Sequence, residues 1–327
     1  MRRAPAHAPA TLSGVKAVEY DRYGPVSVLA VREVPRPVPR RREILVRVRA
    51  AALNPKDVIV RSGKFRLISG RRFPKRVGFD WAGEVAEVGR AVKGVAVGTA
   101  YYGMLDGYQG GACAEYLVVR PGACAPKPAT LDFERAAAVP LAASTALQAL
   151  RDLAHLARGM RVLVNGGSGG VGVYAIQIAK MLGAHVTTTS SSANVELCRK
   201  LGADLATDYR AMDMLAGPDR FDVVFDVFGN RSFGEARRAL APRGVYVKTV
   251  PKPRDFLDVA RTSFTFPRAR LVVVRPRSRD LAFIAACVDD GRLVPVVEKV
   301  FPLERIAEAE EHVATKHTRG KIVVRVG

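Results

Sequence analysis

The sequence predicts an α/β protein in two parts, an irregular β-rich domain and a doubly wound parallel sheet with helices on both faces. Three observations carry this. Short β-branched runs between Gly, Pro and charged clusters fill the first third of the chain. From about Leu131, apolar strands alternate with helical segments at roughly 20- to 40-residue intervals, the pattern of βαβ units. The 327 residues, 48 % of them hydrophobic, are enough to bury a core in each of two domains.

The elements follow in order. The opening MRRAPAHAPATLSG, residues 1–14, lacks the apolar middle of a signal peptide and reads as a disordered N-terminus. GVKAVEY, ILVRVRAAAL and WAGEVAEVG read as strands. FERAAAVPLAASTALQALRDLAHL has helical spacing that breaks at Pro140, because proline has no N–H to give to a preceding turn. RVLVNG, AHVTTTS, DVVFDVFG and GVYVKTV are four short apolar strands, with helical segments between several of them. After Asp280 come a helix LAFIAACVDDG, a strand VVEKVF, a helix LERIAEAEEHVA and a last strand KIVVRVG. No run approaches the roughly 18 apolar residues of a membrane helix, so the protein is expected to be cytoplasmic, with no membrane partner.

Composition narrows the partners. Lys and Arg number 52 against 31 Asp and Glu, a formal charge of +21, and 39 of the 52 are arginine. Such charge fits either nucleic acid or an anionic surface, or a compositional habit joined to attraction for a phosphorylated ligand. The arginines are scattered and aromatics make up only 7 %, which favours the second. Cys113, Cys124, Cys198 and Cys287 have neither zinc-site spacing nor disulfide density and read as free thiols. His7, His155, His185, His312 and His317 show no ligand spacing either.

The stretch VLVNGGSGGVGVYAIQIA places five glycines within residues 166–172. Gly167, Gly169 and Gly172 stand at G-x-G-x-x-G spacing, after a strand and at the start of a helix on which Val171, Ala175, Ile178 and Leu182 recur at helical intervals. In that setting the glycines allow a tight turn, close approach of a pyrophosphate and close helix–strand packing, and the helix N-terminus supplies free N–H groups. Gly167, Ser168, Gly169, Gly170, Val171 and Gly172 are therefore the expected phosphate loop of a Rossmann domain. The bland reading is a glycine-rich turn without a ligand. NAD sites place an Asp or Glu about 20 residues further on. Here no acidic residue falls between Asp152 and Glu196, and the second strand runs into Ser190, Ser191, Ser192 and Asn194. Hydroxyls and an amide can donate to a 2′-phosphate, so NADPH (NADP) is the expected cofactor. The serines could equally form a turn, with Asn194 as the N-cap of NVELCRKLG.

AALNPKD, VGFDWAGEVAEVG, GGACAEYLVV, AAAVPLAASTALQAL, NGGSGGVG, FDVVFDVFGN and RGKIVV, in this order, resemble the zinc-independent medium-chain dehydrogenase/reductases, specifically the quinone oxidoreductase-like branch. The resemblance implies a GroES-like domain from 15–140 and 285–327, with a Rossmann domain from 141–284. It implies hydride transfer from NADPH to a quinone, enone or other activated alkene or carbonyl in a small-molecule substrate, and a homodimer. Zinc alcohol dehydrogenases of this superfamily bind metal through a Cys after the third strand and a Gly-His-Glu stretch. The matching segments read AALNPKD and Gly78, Phe79, Asp80, so no metal is expected. By resemblance, Asn54 lines the cleft near the nicotinamide and stabilises a developing oxyanion, and Thr145 sits near the nicotinamide ribose. Lys321 matches a basic residue near the cofactor, or else is simply solvated. Tyr209 matches a contact to the adenosine phosphate, or is a surface tyrosine. Asp57 and Asp80 are expected to fix loops, and Phe65, Trp81 and part of the basic, aromatic segment 251–275 to wall the cleft. Two departures stand out. The loop SSSAN has no Lys or Arg for a 2′-phosphate, and AALNPKDVIVRSGKF has no Tyr beside the nicotinamide, which turns the expectation from quinones toward enones. A tailoring enzyme on a polyketide-like intermediate and a non-catalytic NADPH- or nucleic-acid-binding protein are the alternatives. The second gains if Arg261, Arg268, Arg270, Arg275, Arg277 and Arg279 share one face.

Overall fold

The computed structural model describes residues 14–327, so the expected disordered N-terminus lies, apart from Gly14, outside the described residues. Eight strands come first: β1 Val15–Tyr20, β2 Ala30–Val34, β3 Ile44–Leu53, β4 Lys75–Arg76, β5 Asp80–Val88, β6 Ala100–Met104, β7 Tyr116–Val119 and β8 Cys124–Pro126. Next are β9 Arg161–Asn165, β10 His185–Ser190, β11 Leu205–Asp208, β12 Phe221–Asp226, β13 Leu240–Lys248 and β14 Arg268–Leu271. The last two are β15 Val297–Pro302 and β16 Lys321–Arg325.

Strands β9 to β14 form one parallel sheet in the order β11-β10-β9-β12-β13-β14. Counted within the sheet this is 3-2-1-4-5-6, which reverses between β9 and β12. Ligands in such sheets sit beyond the carboxyl ends of the strands at that reversal. Val162, Val164, Val223 and Phe225 fill the strand centres and are fully or almost fully buried, as strands covered on both faces must be. Two strands, β11 and β14, are missing from the sequence expectation. LATD and RARL are short and charge-bearing, and they form because neighbouring strands offer them a hydrogen-bonding edge.

The β-rich part contains a three-stranded sheet, β2-β1-β4, and a seven-stranded one, β15-β16-β3-β5-β6-β8, with β7 also pairing β3. The chain's end therefore returns to its beginning. Strand β16 runs antiparallel to β3 with Ile322 opposite Leu53, which sets Lys321 beside Asn54. Pro140 opens the helix Pro140–Leu147 after the helix Phe133–Ala137, as its missing N–H favours, and a π-helical stretch, Gln148–Leu153, follows. The helix Ser278–Asp289 runs through residue 284, and Tyr102 ties it to the β-rich part by donating to the Leu281 carbonyl at 2.7 Å.

Candidate functional site

The glycine loop leaves β9 and enters the helix Gly172–Met181. Gly166, outside the G-x-G-x-x-G spacing, makes the tight turn, with φ at +94°. The close-packing positions are Gly167, where a Cβ would stand 2.0 Å from Thr188 Oγ1, and Gly172, where it would stand 2.1 Å from the Gly166 carbonyl oxygen. At Gly169 the nearest atom to such a Cβ is the Gly166 oxygen at 3.6 Å, so this face is open. The amides of Val171 and Gly172 donate to no protein acceptor, while Gly169 and Gly320 form a parallel bridge in which Ser168 gives its carbonyl to Gly320 N at 2.8 Å and the Gly170 amide turns to the Gly320 carbonyl. An open glycine face beside free amides at a helix N-terminus fits a pyrophosphate.

The carboxyl end of β10 lies next to this loop, since the Gly166 and Gly167 amides donate to the Thr189 carbonyl at 3.2 and 2.9 Å. Ser190 is buried and its hydroxyl donates to the Ser191 carbonyl at 3.1 Å, which corrects its expected phosphate role: the hydroxyl is turned into the protein. Asn194 stands at the start of the helix Val195–Lys200 but does not cap it. Its amide reaches back to Ser191 Oγ at 3.2 Å, because Ser192–Asn194 is a 3-10 turn that swings the side chain away from the helix. Ser191 and Asn194 remain half-buried at the mouth. Tyr209 is brought beside them, its amide donating to the Ser190 carbonyl at 3.0 Å, with its ring exposed and the Arg210 guanidinium 5.5 Å from the ring centroid. Arg210 was invisible as a site residue because it follows β11, a strand the sequence pattern did not show. Its only signal was adjacency to Tyr209.

The second cluster joins the two parts of the protein. Asp80, fully buried at the start of β5, accepts Leu141 N at 2.6 Å through Oδ1, and Asn54 Nδ2 and Lys321 Nζ at 3.0 Å each through Oδ2. Lys321 Nζ also donates to Asn54 Oδ1 at 2.5 Å and to the Leu53 carbonyl at 3.0 Å. Its three protons are thereby used, and it is 3 % exposed rather than solvated. Asn54 donates its amide to Asp80 and, at 3.4 Å, to the Ala52 carbonyl. This corrects the sequence expectation, because both faces of the Asn54 amide are taken and none is left for a substrate oxyanion. Lys321 likewise turns its ammonium to Asp80, although its stem would stand 3.1 Å from a Cβ on Gly170. Thr145 is buried on the helix that Asp80 caps and donates its hydroxyl to Leu141 O at 2.7 Å, leaving it able to accept but not to donate.

Asp57 fixes loops as expected, accepting the amides of Asn54 and Gly78 at 2.8 Å each. Burial, with the Glu310 charge adding to it, pushes its carboxyl up to about 7. The folded state then holds this proton more tightly than the unfolded chain does. Stability is expected to fall as pH rises from about 4 to about 7 and to level off above, with Glu310, also pushed up by burial, acting in the same direction. Melting temperatures followed across that range should show the slope, and Asp57→Asn should flatten it.

A small apolar cluster lines the junction: Val60, Phe79, Met104 and Leu141, with Phe65, Tyr108 and Val274 packed against them. Phe65 and, from the segment 251–275, Val274 pack against this cluster. Trp81 does not. It is fully buried in the core of the β-rich part, since alternation along β5 sends it opposite to its neighbours Asp80 and Ala82. The basic residues of the same region are partly spoken for. Arg277 and Arg151 pair with Asp152 and Asp280, and Arg268 stacks on Phe266 at 4.0 Å. All four cysteines are free and buried. Among the described residues, no group of three or more His, Cys, Asp or Glu is placed to hold a metal, and no helix is long and apolar enough to cross a membrane.

Two family models match, "Alcohol dehydrogenase GroES-like domain" over residues 40–129 and "Zinc-binding dehydrogenase" over residues 201–324. The chain is 32 % identical over 320 residues to the chloroplast envelope quinone oxidoreductase homolog of Arabidopsis thaliana, covering 94 % of this chain and 97 % of that one. It is 36 % identical over 321 residues to the chloroplastic NADPH-dependent alkenal/one oxidoreductase of the same plant, covering 95 % and 79 %. Its structure is similar to that of the quinone oxidoreductase from Coxiella burnetii, with a TM-score of 0.88, 32 % identity and coverage of 96 % and 99 %.

Proposed function

The chain belongs to the medium-chain dehydrogenase/reductase superfamily, in its quinone oxidoreductase-like branch, and from that premise we propose that this oxidoreductase reduces enones, quinones or other activated alkenes with NADPH and without zinc. The observation that carries the reading is the open glycine face with two free amides at a helix N-terminus, placed at the reversal of the parallel sheet.

When bound, the dinucleotide supplies the hydride. The chain's residues bind and orient. The amides of Val171 and Gly172 hold the pyrophosphate. Ser191, Asn194, Tyr209 and Arg210 face the adenosine end, where the loop after β10 carries no acid to take a ribose hydroxyl, and Asp208, at the end of β11, accepts the Arg210 amide at 2.9 Å, which favours a 2′-phosphate. The Asp80–Asn54–Lys321 cluster and Thr145 act as positioning groups, fixing the junction at which the substrate meets the cofactor. Phe65, Phe79 and Tyr108 keep water from the reacting carbons and suit a planar conjugated substrate. A homodimer, a cytoplasmic location and a small-molecule rather than nucleic-acid partner complete the proposal.

Fluorescence titration with NADPH and NADH, followed by NADPH oxidation against a panel of enones, quinones and aldehydes, tests it. NADPH is expected to bind more tightly than NADH and to be oxidised by at least one acceptor. Arg210→Ala should weaken NADPH about tenfold, the loss of one charge-assisted contact, and leave NADH unchanged. Absence of dinucleotide binding would refute the assignment.

A further inference from the structure

Six lysines of the described chain are wholly or partly withdrawn from water, and five have partners: Lys127 donates to the Pro128 and Leu131 carbonyls, Lys180 pairs with Asp204 at 2.8 Å, and three more are fully buried. Lys75 donates to the Ser69 carbonyl at 2.7 Å, Lys248 pairs with Asp255 at 2.9 Å, and Lys321 pairs with Asp80 at 3.0 Å. Lys56 has none. It lies on the helix Pro55–Arg61, two residues after Asn54, half-buried. Its Nζ stands 3.9 Å from the Phe79 ring centroid and 5.2 Å from that of Tyr108, and it makes no ion pair or hydrogen bond with any described residue. Both rings belong to the apolar cluster at the junction.

The nearest carboxylates are committed elsewhere. Asp57 faces the amides of Asn54 and Gly78, Asp80 faces Leu141, Asn54 and Lys321, and exposed Asp106 accepts the Gly107 amide. An ammonium over two aromatic faces is held by their quadrupoles, which attract the charge but accept its protons poorly. Among the described residues no oxygen accepts a hydrogen bond from its N–H groups. Burial also draws this amine below the ordinary lysine range, so that it gives up a proton more readily.

We propose that the Lys56 ammonium receives the carbonyl oxygen of the substrate and stabilises the negative charge that forms there. The inference rests on the reductase reading above. As the hydride forms a C–H bond at the β-carbon of an enone, the C=C electron pair moves into the adjoining bond and the carbonyl pair moves onto oxygen. Lys56 holds that oxygen and passes it one proton, which solvent returns to the amine. The enol relaxes to the ketone, so the net change is one hydride and one proton added across the double bond. Lys56 thus fills the role of oxyanion donor that Asn54, with its amide engaged, cannot take.

The test compares wild type with Lys56→Met, which keeps the length of the stem, and Lys56→Arg, which keeps the charge. Lys56→Met is expected to lower kcat/KM for an enone about 100-fold, the usual loss for one oxyanion donor, with an unchanged Kd for NADPH. Lys56→Arg should retain most of the rate. In parallel, 4-nitrophenol, whose anion resembles the enolate, is titrated by absorbance against each protein with NADP+ present. The bound phenol should ionise about one pH unit lower with wild type and Lys56→Arg than with Lys56→Met. An equal ionisation in wild type and Lys56→Met, no binding of the phenol to wild type, or an unaltered kcat/KM in Lys56→Met would overturn the inference. If wild type turns over no acceptor, the reductase reading falls, and the phenol titration, which needs no turnover, still decides Lys56.

Discussion

Replacing Asp80 by alanine is expected to destabilise the protein by about 3–5 kcal/mol, the loss typical of removing one partner from a buried ion pair. The cause is double. Lys321, 3 % exposed, would keep its charge with only the Asn54 and Leu53 oxygens to receive it, and neither carries a counter-charge. The helix Pro140–Leu147 would also lose the acceptor for Leu141 N. Val139, at its N-cap, offers no side-chain oxygen in its place. Asp80→Asn keeps one acceptor oxygen for the helix and should be less damaging. The double variant Asp80→Ala with Lys321→Met removes the stranded charge and should recover part of the loss. Urea midpoints for the three variants check this. If Asp80→Ala unfolds at the wild-type midpoint, the cluster does not hold the two parts together.

That cluster also marks where sequence reading ends. The G-x-G-x-x-G spacing, the strand before it and the helix after it are local, and a local pattern fixes them, so the parallel sheet and its glycine loop were legible. So was the discontinuous β-rich part, through motifs in the order of a known superfamily. Lys321 was not. A lysine before a terminal strand looks solvated, and its burial follows only from the pairing of β16 with β3, which sets Ile322 opposite Leu53. Asn54 fails for the same reason: its amide looks free until Asp80 and Lys321 arrive from distant strands. Trp81 depended on which face of β5 turns inward, and Asn194 on a single 3-10 turn. Lys56 and Arg210 differ again. Each is one charge among 52 basic residues, and only three-dimensional surroundings distinguish an ammonium lacking an oxygen partner from a solvated one.

The glycine loop separates a packing role from a binding role, and alanine substitutions should do the same. Gly172→Ala would bring a Cβ to 2.1 Å from the Gly166 carbonyl oxygen and 2.7 Å from Gly167 backbone atoms, which cannot yield without reshaping the loop. It is expected to cost about 1–3 kcal/mol of stability, as overpacking does, and to abolish dinucleotide binding along with the loop geometry. Gly169→Ala is different in kind. Its backbone is not in the left-handed region and the new methyl meets nothing closer than 3.6 Å, so stability should change by no more than about 0.5 kcal/mol. The methyl would nevertheless occupy the face on which a pyrophosphate must lie, and NADPH affinity should fall at least about tenfold. Melting curves and fluorescence titrations on the two variants test the pair together. Wild-type affinity in Gly169→Ala would mean that the phosphates lie elsewhere, and the assignment of residues 167–172 as the phosphate loop would fail even though the fold around them stands. Weakened binding in a variant that melts like wild type cannot come from lost packing, which leaves direct contact with the ligand as its cause.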